Sequence, residues 1–197
     1  MKRKLVALIL GLAAAATATS SYAQGKINLD TYNTDPYPII TYGDAGAGVI
    51  GNGVSTSYTI GLYYGLGSVT VAADPSGVAD PTSLGALTLG TGAGSTAGIV
   101  PTGPGWFQSI NDYTIPGYTS GDVTMMIVAY DGSDYLGSLH RGHSDAFSIL
   151  PSQGATGFAT AVGSVMPDFQ VFTVPEPTTL ALLGLGAAGL LAARRRK

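Results

Sequence analysis

Between residues 24 and 173 the chain alternates polar with apolar or aromatic residues over short runs, and no window keeps a helical apolar period for three turns. The alternation predicts half-buried strands over Lys26–Tyr32 and Ser57–Tyr64. Ser68–Ala72 is expected to pair with the second of these strands across the turn Gly65–Gly67. The pattern therefore favours β-structure over helix in this part of the chain.

The clearest predicted hairpin joins Val123–Tyr130 to Tyr135–Leu139. Its turn is Asp131–Asp134, in which the Asp-Gly pair would supply the positive φ angles of a tight turn. Ala146–Leu150 and Asp168–Val174 are predicted as late strands.

Two stretches, Gly43–Gly53 and Pro75–Gly105, show little pattern and are expected to be long loops, with a short strand at Leu84–Leu89. Of the 150 residues from 24 to 173, twenty-five are glycine and nine are proline, which disfavours long helices. Short strands with Gly-rich turns predict one all-β domain, an antiparallel β-sandwich of about seven to ten strands.

Residues 174–197 form three consecutive blocks. Val174-Pro175-Glu176-Pro177 is held extended by its two prolines, and 178–193 contains no charged residue. The chain then ends in Arg194, Arg195, Arg196 and Lys197. An apolar run stopped by basic residues predicts a single transmembrane helix over 178–193 with its basic end in the cytoplasm. Its length is roughly 24 Å at ~1.5 Å per residue, slightly short of a typical bilayer core.

The order of these blocks resembles the PEP-CTERM sorting signal of Gram-negative bacteria. The matching residues are Pro175, Glu176 and Pro177, then the apolar run, then the arginines. The resemblance implies recognition by exosortase, a membrane-embedded processing enzyme, and cargo associated with exopolysaccharide or biofilm matrix. The alternative is a plain C-terminal membrane anchor.

The N-terminus reads as a secretory signal peptide over residues 1–23. A basic stretch at 2–4 precedes an apolar run at 5–16. Ser21-Tyr22-Ala23 then places small residues at the two positions that signal peptidase recognises before the cleaved bond. Cleavage is expected between Ala23 and Gln24. A retained first transmembrane helix is the alternative, but the apolar run is short for one. The chain contains no cysteine, so disulfides and lipidation of a cysteine are excluded.

The predicted exported body, residues 24–173, is acidic. Only Lys26 and Arg141 are basic there, against eleven aspartates, which gives a formal charge of −9. Nucleic acid is excluded as a partner because its binding requires basic side chains against phosphates. Cations and neutral or basic sugars suit such a surface better.

His140, His143 and Asp145 lie close enough in sequence to suggest a zinc site. No fourth ligand is evident, and the alternative is a loop in which Arg141 pairs with an aspartate. The resemblance also favours a structural role for the Arg-Gly-x-Ser segment beginning at Arg141. A Ser-His-Asp hydrolase is disfavoured because no G-x-S-x-G elbow is present.

No cofactor is expected, although calcium could use carboxylates at turns. The candidate ligands are Asp112, Asp122, Asp131 and Asp134. Aspartate is also an ordinary turn residue, and no D-x-D-x-D-G loop occurs.

Aromatic residues in the Gly/Pro-rich region are a possible sugar platform, with core packing as the alternative. They are Trp106, Phe107, Tyr113 and Tyr118.

The sequence thus predicts a non-enzymatic exported protein of the surface or extracellular matrix. It would pass through the inner membrane as an intermediate, be processed by signal peptidase and exosortase, and have exopolysaccharide as its partner. The alternative is a secreted carbohydrate-binding module or an enzyme acting on polysaccharide.

Overall fold

The computed structural model describes residues 24–153 and 158–174. These form twelve strands, one short helix and one 3-10 turn. In chain order they are β1 Lys26–Asn28, β2 Ile40–Tyr42, β3 Thr59–Leu66, α1 Pro81–Leu84, β4 Thr88–Leu89, β5 Thr96–Ile99, β6 Phe107–Gln108, β7 Tyr113–Thr114, β8 Val123–Tyr130, β9 His140–His143, β10 Phe147–Ile149, β11 Thr160–Ala161, the 3-10 turn Val162–Ser164 and β12 Phe169–Thr173.

Two eight-residue strands, β3 and β8, form the centre of the larger sheet. They pair antiparallel along their whole length, from Thr59 opposite Tyr130 to Leu66 opposite Val123. The other edge of β8 is covered first by β9 and then by β10, and the other edge of β3 by β5 and β4. Almost every residue of β3 and β8 is buried, as expected for strands covered on both faces.

The nine-stranded sheet has the order β2-β12-β9-β8-β3-β5-β6, with β10 paired to β8 and β4 to β3. A second sheet has the order β11-β1-β7. Most pairs are antiparallel, but β12 runs parallel to β2, and β1 runs parallel to β11. The predicted all-β class is confirmed. The prediction of an antiparallel sandwich is wrong in detail, because the sheets are mixed and do not plainly form two facing layers.

Side chains of β3 and β8 alternate between two apolar cores. Ile60, Leu62, Met125 and Ile127 contribute to the larger core, which also contains residues of β1, β6 and β7. The intervening residues Tyr63, Met126 and Val128 belong to a smaller core with Leu87 and Tyr135. Loops rather than helices supply the cover of the smaller core, which explains how a chain so rich in glycine buries both faces of its central strands.

The predicted partner of β3 at residues 68–72 is not a strand. The edges of β3 are already taken by β8, β5 and β4, so this segment runs outside the ladder. Val69 and Val71 instead pack against the smaller core.

The predicted hairpin after β8 has the right first strand and the wrong second one. β8 pairs with β9, and residues 131–139 form the connection. Tyr135 is buried in the smaller core and packs edge-on against Tyr63 and Tyr130, which removes it from the ladder. Neither Asp131 nor Gly132 has a positive φ, so the turn is not of the predicted type.

The predicted transmembrane helix over 178–193 and the signal peptide over 1–23 lie outside the described residues. Among residues 24–153 and 158–174, no helix has the length and apolar character needed to cross a bilayer.

Two glycines provide a test of the packing between β9 and β12. A Cβ added at Gly142 in β9 would lie 2.0 Å from the carbonyl oxygen of Gln170, whereas one added at Gly98 in β5 would meet no atom within 4 Å. Gly142→Ala should therefore lower the free energy of unfolding by about 1–3 kcal/mol, since the two strands must separate to admit the methyl group. Gly98→Ala is the matched control and should be close to neutral. Urea unfolding of both variants measures the difference, and equal stabilities would contradict the close approach of the strands.

Candidate functional site

A polar cleft of about 500 Å³ opens beside β9 and β12. Three carboxylates and one imidazole line it together with apolar side chains, namely Asp74, His143, Asp145, Asp168, Ile39 and Phe172. The walls come from segments far apart in sequence, the loop around residue 74, the end of β9 and the final strand. This is the place where the described residues concentrate titratable groups.

Asp74 organises the loop that follows it. Its Oδ1 accepts hydrogen bonds from the Ser76 amide at 2.9 Å and the Ser76 hydroxyl at 2.6 Å. Its Oδ2 accepts from the amides of Val78 at 3.0 Å and Ala79 at 2.9 Å. Burial alone would raise the pKa of Asp74, but these hydrogen bonds, with one from His143, together lower the pKa well below its ordinary value.

His143 is 5% exposed and has an acceptor at each ring nitrogen. Nε2 lies 3.0 Å from Asp74 Oδ2, and Nδ1 lies 2.9 Å from the Ser144 carbonyl oxygen. A carboxylate and a carbonyl only accept, so each ring nitrogen faces an acceptor within the chain. Both ring nitrogens are therefore engaged by contacts within the chain, and neither is directed at a metal or a nucleophile.

The predicted zinc ligands do not come together. His140 and His143 are three positions apart in one strand and therefore project to opposite faces of the sheet. His140 Nδ1 lies 2.6 Å from Asp131 Oδ2, away from the cleft. No three His, Asp or Glu side chains are grouped as a metal site within residues 24–153 and 158–174.

A Ser-His-Asp triad is also not assembled at His143. Ser144 is fully buried, and its hydroxyl accepts from the Ile127 amide at 3.0 Å, while its carbonyl rather than its hydroxyl faces the imidazole. Ser76 donates directly to Asp74. The arrangement therefore closes loops onto the sheet and does not activate a serine.

Arg141 has carbonyl partners where an aspartate was expected. Nε donates to the Val78 carbonyl at 3.1 Å, and Nη1 donates to the carbonyls of Tyr135 and Leu136. The guanidinium also lies over the Tyr135 ring, 5.3 Å from its centroid. Arg141 thus ties two loops to β9, which fits a structural role for this segment, but the expected pairing with an aspartate is wrong.

The four aspartates considered for calcium serve separate local contacts. Asp134 Oδ1 accepts from the Gly137 amide at 2.7 Å, and Asp112 Oδ1 accepts from the Asn28 side-chain amide at 3.0 Å. Asp131 holds His140, and the Asp122 carbonyl accepts from the Gly67 amide at 3.0 Å. The structure does not gather them around a common point.

The predicted aromatic platform divides into buried and exposed parts. Phe107, Tyr113 and Tyr118 belong to the larger core. Trp106 is half-buried and lies between two exposed tyrosines, with ring centroids 6.1 Å from Tyr32 and 6.2 Å from Tyr37. Sequence reasoning missed the tyrosines, although Tyr37, which lies between the prolines at 36 and 38, was an available signal.

The last described residues, which lie where the predicted sorting signal begins, are hydrogen-bonded to other parts of the fold. The Thr173 amide donates to Asp44 Oδ2 at 2.6 Å, and its hydroxyl donates to Asp44 Oδ1 at 2.9 Å. The Val174 amide then donates to the Leu139 carbonyl at 2.7 Å. Burial opposes ionisation of Asp44, but the hydrogen bonds from Thr173, Ala47 and Gly46 outweigh it and lower its pKa. No spacer separates this contact from Pro175.

The remaining predicted site residues lie outside the described residues. They are Pro175, Glu176, Pro177, the basic residues at 194–197 and Ala23. Gln24 is described and is exposed ahead of β1.

Replacement of Asp74 by asparagine should destabilise the fold by about 2–4 kcal/mol. The amide nitrogen would face N–H donors, and buried His143 would lose its charged partner. Asp145→Asn is the matched control, because Asp145 lines the same cleft but is exposed and accepts no hydrogen bond from the described residues. Chemical denaturation measures both variants, and an Asp74→Asn protein as stable as the control would contradict the assigned role.

The lowered pKa of Asp74 also predicts acid sensitivity. A carboxylate whose pKa is lower in the folded state contributes stability above its unfolded pKa, about 3.9, and loses it as the pH falls toward the folded value. The melting temperature should therefore decrease as the pH is lowered below about 4, and it should decrease less steeply in Asp74→Asn. Thermal unfolding from pH 6 to pH 2 tests this, and parallel curves for the two proteins would be the contrary result.

In comparison with known proteins, the C-terminal segment of this chain matches a family model. Residues 173–197 match the family model described as the PEP-CTERM protein-sorting motif. No curated protein and no solved structure matches the chain significantly. The resemblance inferred from the three blocks is confirmed: the chain carries a PEP-CTERM sorting motif, which begins at the last residue of its final strand.

Proposed function

We propose that this protein is a non-enzymatic component of the cell surface or extracellular matrix, associated with exopolysaccharide. The sorting motif indicates export through the membrane to the surface and processing by exosortase, a membrane enzyme. The observation that carries the proposal is that this motif begins directly at the final strand, whose last residue, Thr173, is hydrogen-bonded to Asp44. The folded body is thereby the cargo, and the motif follows it directly in sequence.

A structural role for the body is supported by how its polar groups are used. The His143–Asp74 pair, Arg141 and the aspartates at turns are committed to contacts within the chain. This use of the groups favours a protein without catalytic machinery and without a resident cofactor. The order of export we propose is removal of residues 1–23, insertion of 178–193 in the inner membrane, and release or attachment at the surface.

A carbohydrate-binding module is the second candidate, and the exposed cluster of Tyr32, Tyr37 and Trp106 favours it. This candidate is compatible with the same route of export. It differs from the first in requiring a saturable glycan site on the body.

Replacement of Pro175-Glu176-Pro177 by three alanines should abolish processing while leaving membrane insertion intact. The apolar run is unchanged, whereas the extended segment and the charge at the outer face are lost. The fraction of an epitope-tagged protein in the inner membrane, compared with the surface and medium, is the measurement.

Neutral residues at 194–197 are the matched control for the sorting experiment, since they should weaken orientation and retention of the span without changing the recognised motif. An alanine variant that matures and localises like the parent would show that the tail is only an anchor.

The mature protein should begin at Gln24. The basic stretch, the apolar run and the small residues before Ala23 together specify signal peptidase cleavage at this bond. N-terminal sequencing of the exported protein is the measurement, and Ala23→Arg, which blocks the small-residue position, should leave the precursor uncleaved. Recovery of an exported chain starting at Met1 would refute the assignment.

A further inference from the structure

The cluster of Tyr32, Tyr37 and Trp106 exposes aromatic surface that the fold does not use. Tyr32 is 38% exposed and Tyr37 is 58% exposed, and both rings are tilted by just over 50° to the indole. Trp106 Nε1 is covered and has no hydrogen-bond partner among the described residues, so the exposed part of this ring is carbon. The cluster thus presents tilted apolar ring surfaces together with two phenol groups.

The segments carrying these rings are fixed before any ligand arrives. Asp30 Oδ1 accepts from the amides of Tyr32 at 2.8 Å and Asn33 at 3.1 Å. Further along, the Ile39 amide donates to Asp168 Oδ1 at 2.6 Å. A backbone held in this way loses little conformational freedom on binding, which favours affinity.

A second feature is a groove of about 510 Å³ that is lined by uncharged residues and includes Gln108. Gln108 lies two residues after Trp106 in an extended segment and so projects to the same side. Its Nε2 also donates to Asp30 Oδ2 at 3.3 Å, in the turn that carries Tyr32. Gln108 is therefore a groove residue that lies on the same side of its segment as Trp106 and contacts the turn carrying Tyr32.

The lining of the groove offers neutral hydrogen-bonding groups and open backbone. Its polar side chains are Thr59, Thr96, Gln108, Ser109 and Asn111, and its floor includes Gly98. No Lys, Arg, Asp or Glu of the described residues lines it. A groove of this size lies within the range of sites for small ligands, roughly 300–1,000 Å³.

We propose that the cluster and the groove together form a binding site for a neutral polysaccharide. The apolar face of a pyranose ring stacks on Tyr or Trp, and its hydroxyl groups match the amide and hydroxyl side chains of the groove. Acidic sugars fit worse, because no cation lines the groove and the body carries a formal charge of −9. The site gives the second proposed function, a carbohydrate-binding module, a location and a ligand class, and in that respect it rests on that proposal.

The test uses the full-length chain in a detergent without a sugar head group, so that the detergent does not compete. Calorimetry with cellohexaose, laminarihexaose and mannohexaose should show saturable binding to at least one, and oligogalacturonate should bind at least roughly tenfold more weakly. The absence of binding to all three neutral oligosaccharides, or equal binding of the uronate, would overturn the proposal.

Two variants locate the site. Tyr37→Ala removes an exposed ring, and Gly98→Leu fills open space in the groove without meeting protein atoms near its Cβ. Each should weaken binding by roughly tenfold or more, since removal of an anchor from the centre of a site costs at least this much. Phe158→Ala is the matched control, because Phe158 is 99% exposed and outside the cluster, and it should bind like the parent. Unchanged affinity in both site variants would overturn the location.

The variant with alanines at 175–177 separates this site from the sorting function. It should bind the oligosaccharide with the affinity of the parent, because the site lies entirely within residues 30–111. Tyr37→Ala should in turn be sorted like the parent. Loss of glycan binding in the sorting variant would contradict an independent site on the body.

Discussion

The antiparallel pairing of β3 and β8 is the contact on which the described domain depends. Eight residue pairs place alternate side chains in two cores, so each strand contributes to both faces of the sheet. A shift of one residue would exchange the two sets of side chains and put Tyr63 and Met126 where Leu62 and Ile127 now pack. The two cores differ in size and in the segments that cover them, strands for the larger and loops for the smaller. Only one register places each set of side chains in the core that accommodates it. Gly61, opposite Val128, leaves room for the Val128 side chain on the side of the smaller core.

Local sequence pattern predicted these central strands because their apolar character is continuous or alternating over eight residues. It could not predict their partners. Residues 68–72 have the composition of a strand, yet β3 has no free edge for them, and this depends on strands that follow later in the chain. The same limit applies to sites. Asp74 meets His143 across 69 positions, and Tyr32 meets Trp106 through pairing of residues 29–31 with 107–109. By contrast, the sorting motif is encoded by consecutive residues, and for that reason its prediction needed no fold.

The final strand links the body to the sorting signal physically. β12 lies inside the sheet, between β2 and β9, and its last residue, Thr173, donates hydrogen bonds to Asp44. Three residues, Pro175 to Pro177, separate Val174 from the predicted span, which corresponds to about 10 Å of extended chain. The sorting motif therefore begins at the last residue of a strand that lies inside the folded domain.

Aspartate side chains take the place of cross-links in this cysteine-free chain. Asp30, Asp44, Asp74 and Asp134 each accept hydrogen bonds from backbone amides and close a loop or a strand end. A carboxylate suits this role because it accepts several hydrogen bonds at once and needs no oxidising environment. The same residues give the body its negative charge, so the acidity of the surface follows in part from how the loops are held. The groove beside Gln108 is lined without any of these carboxylates, and Asp30 accepts a hydrogen bond from Gln108 Nε2 at its border. Its neutral lining is what makes an uncharged ligand the better match there.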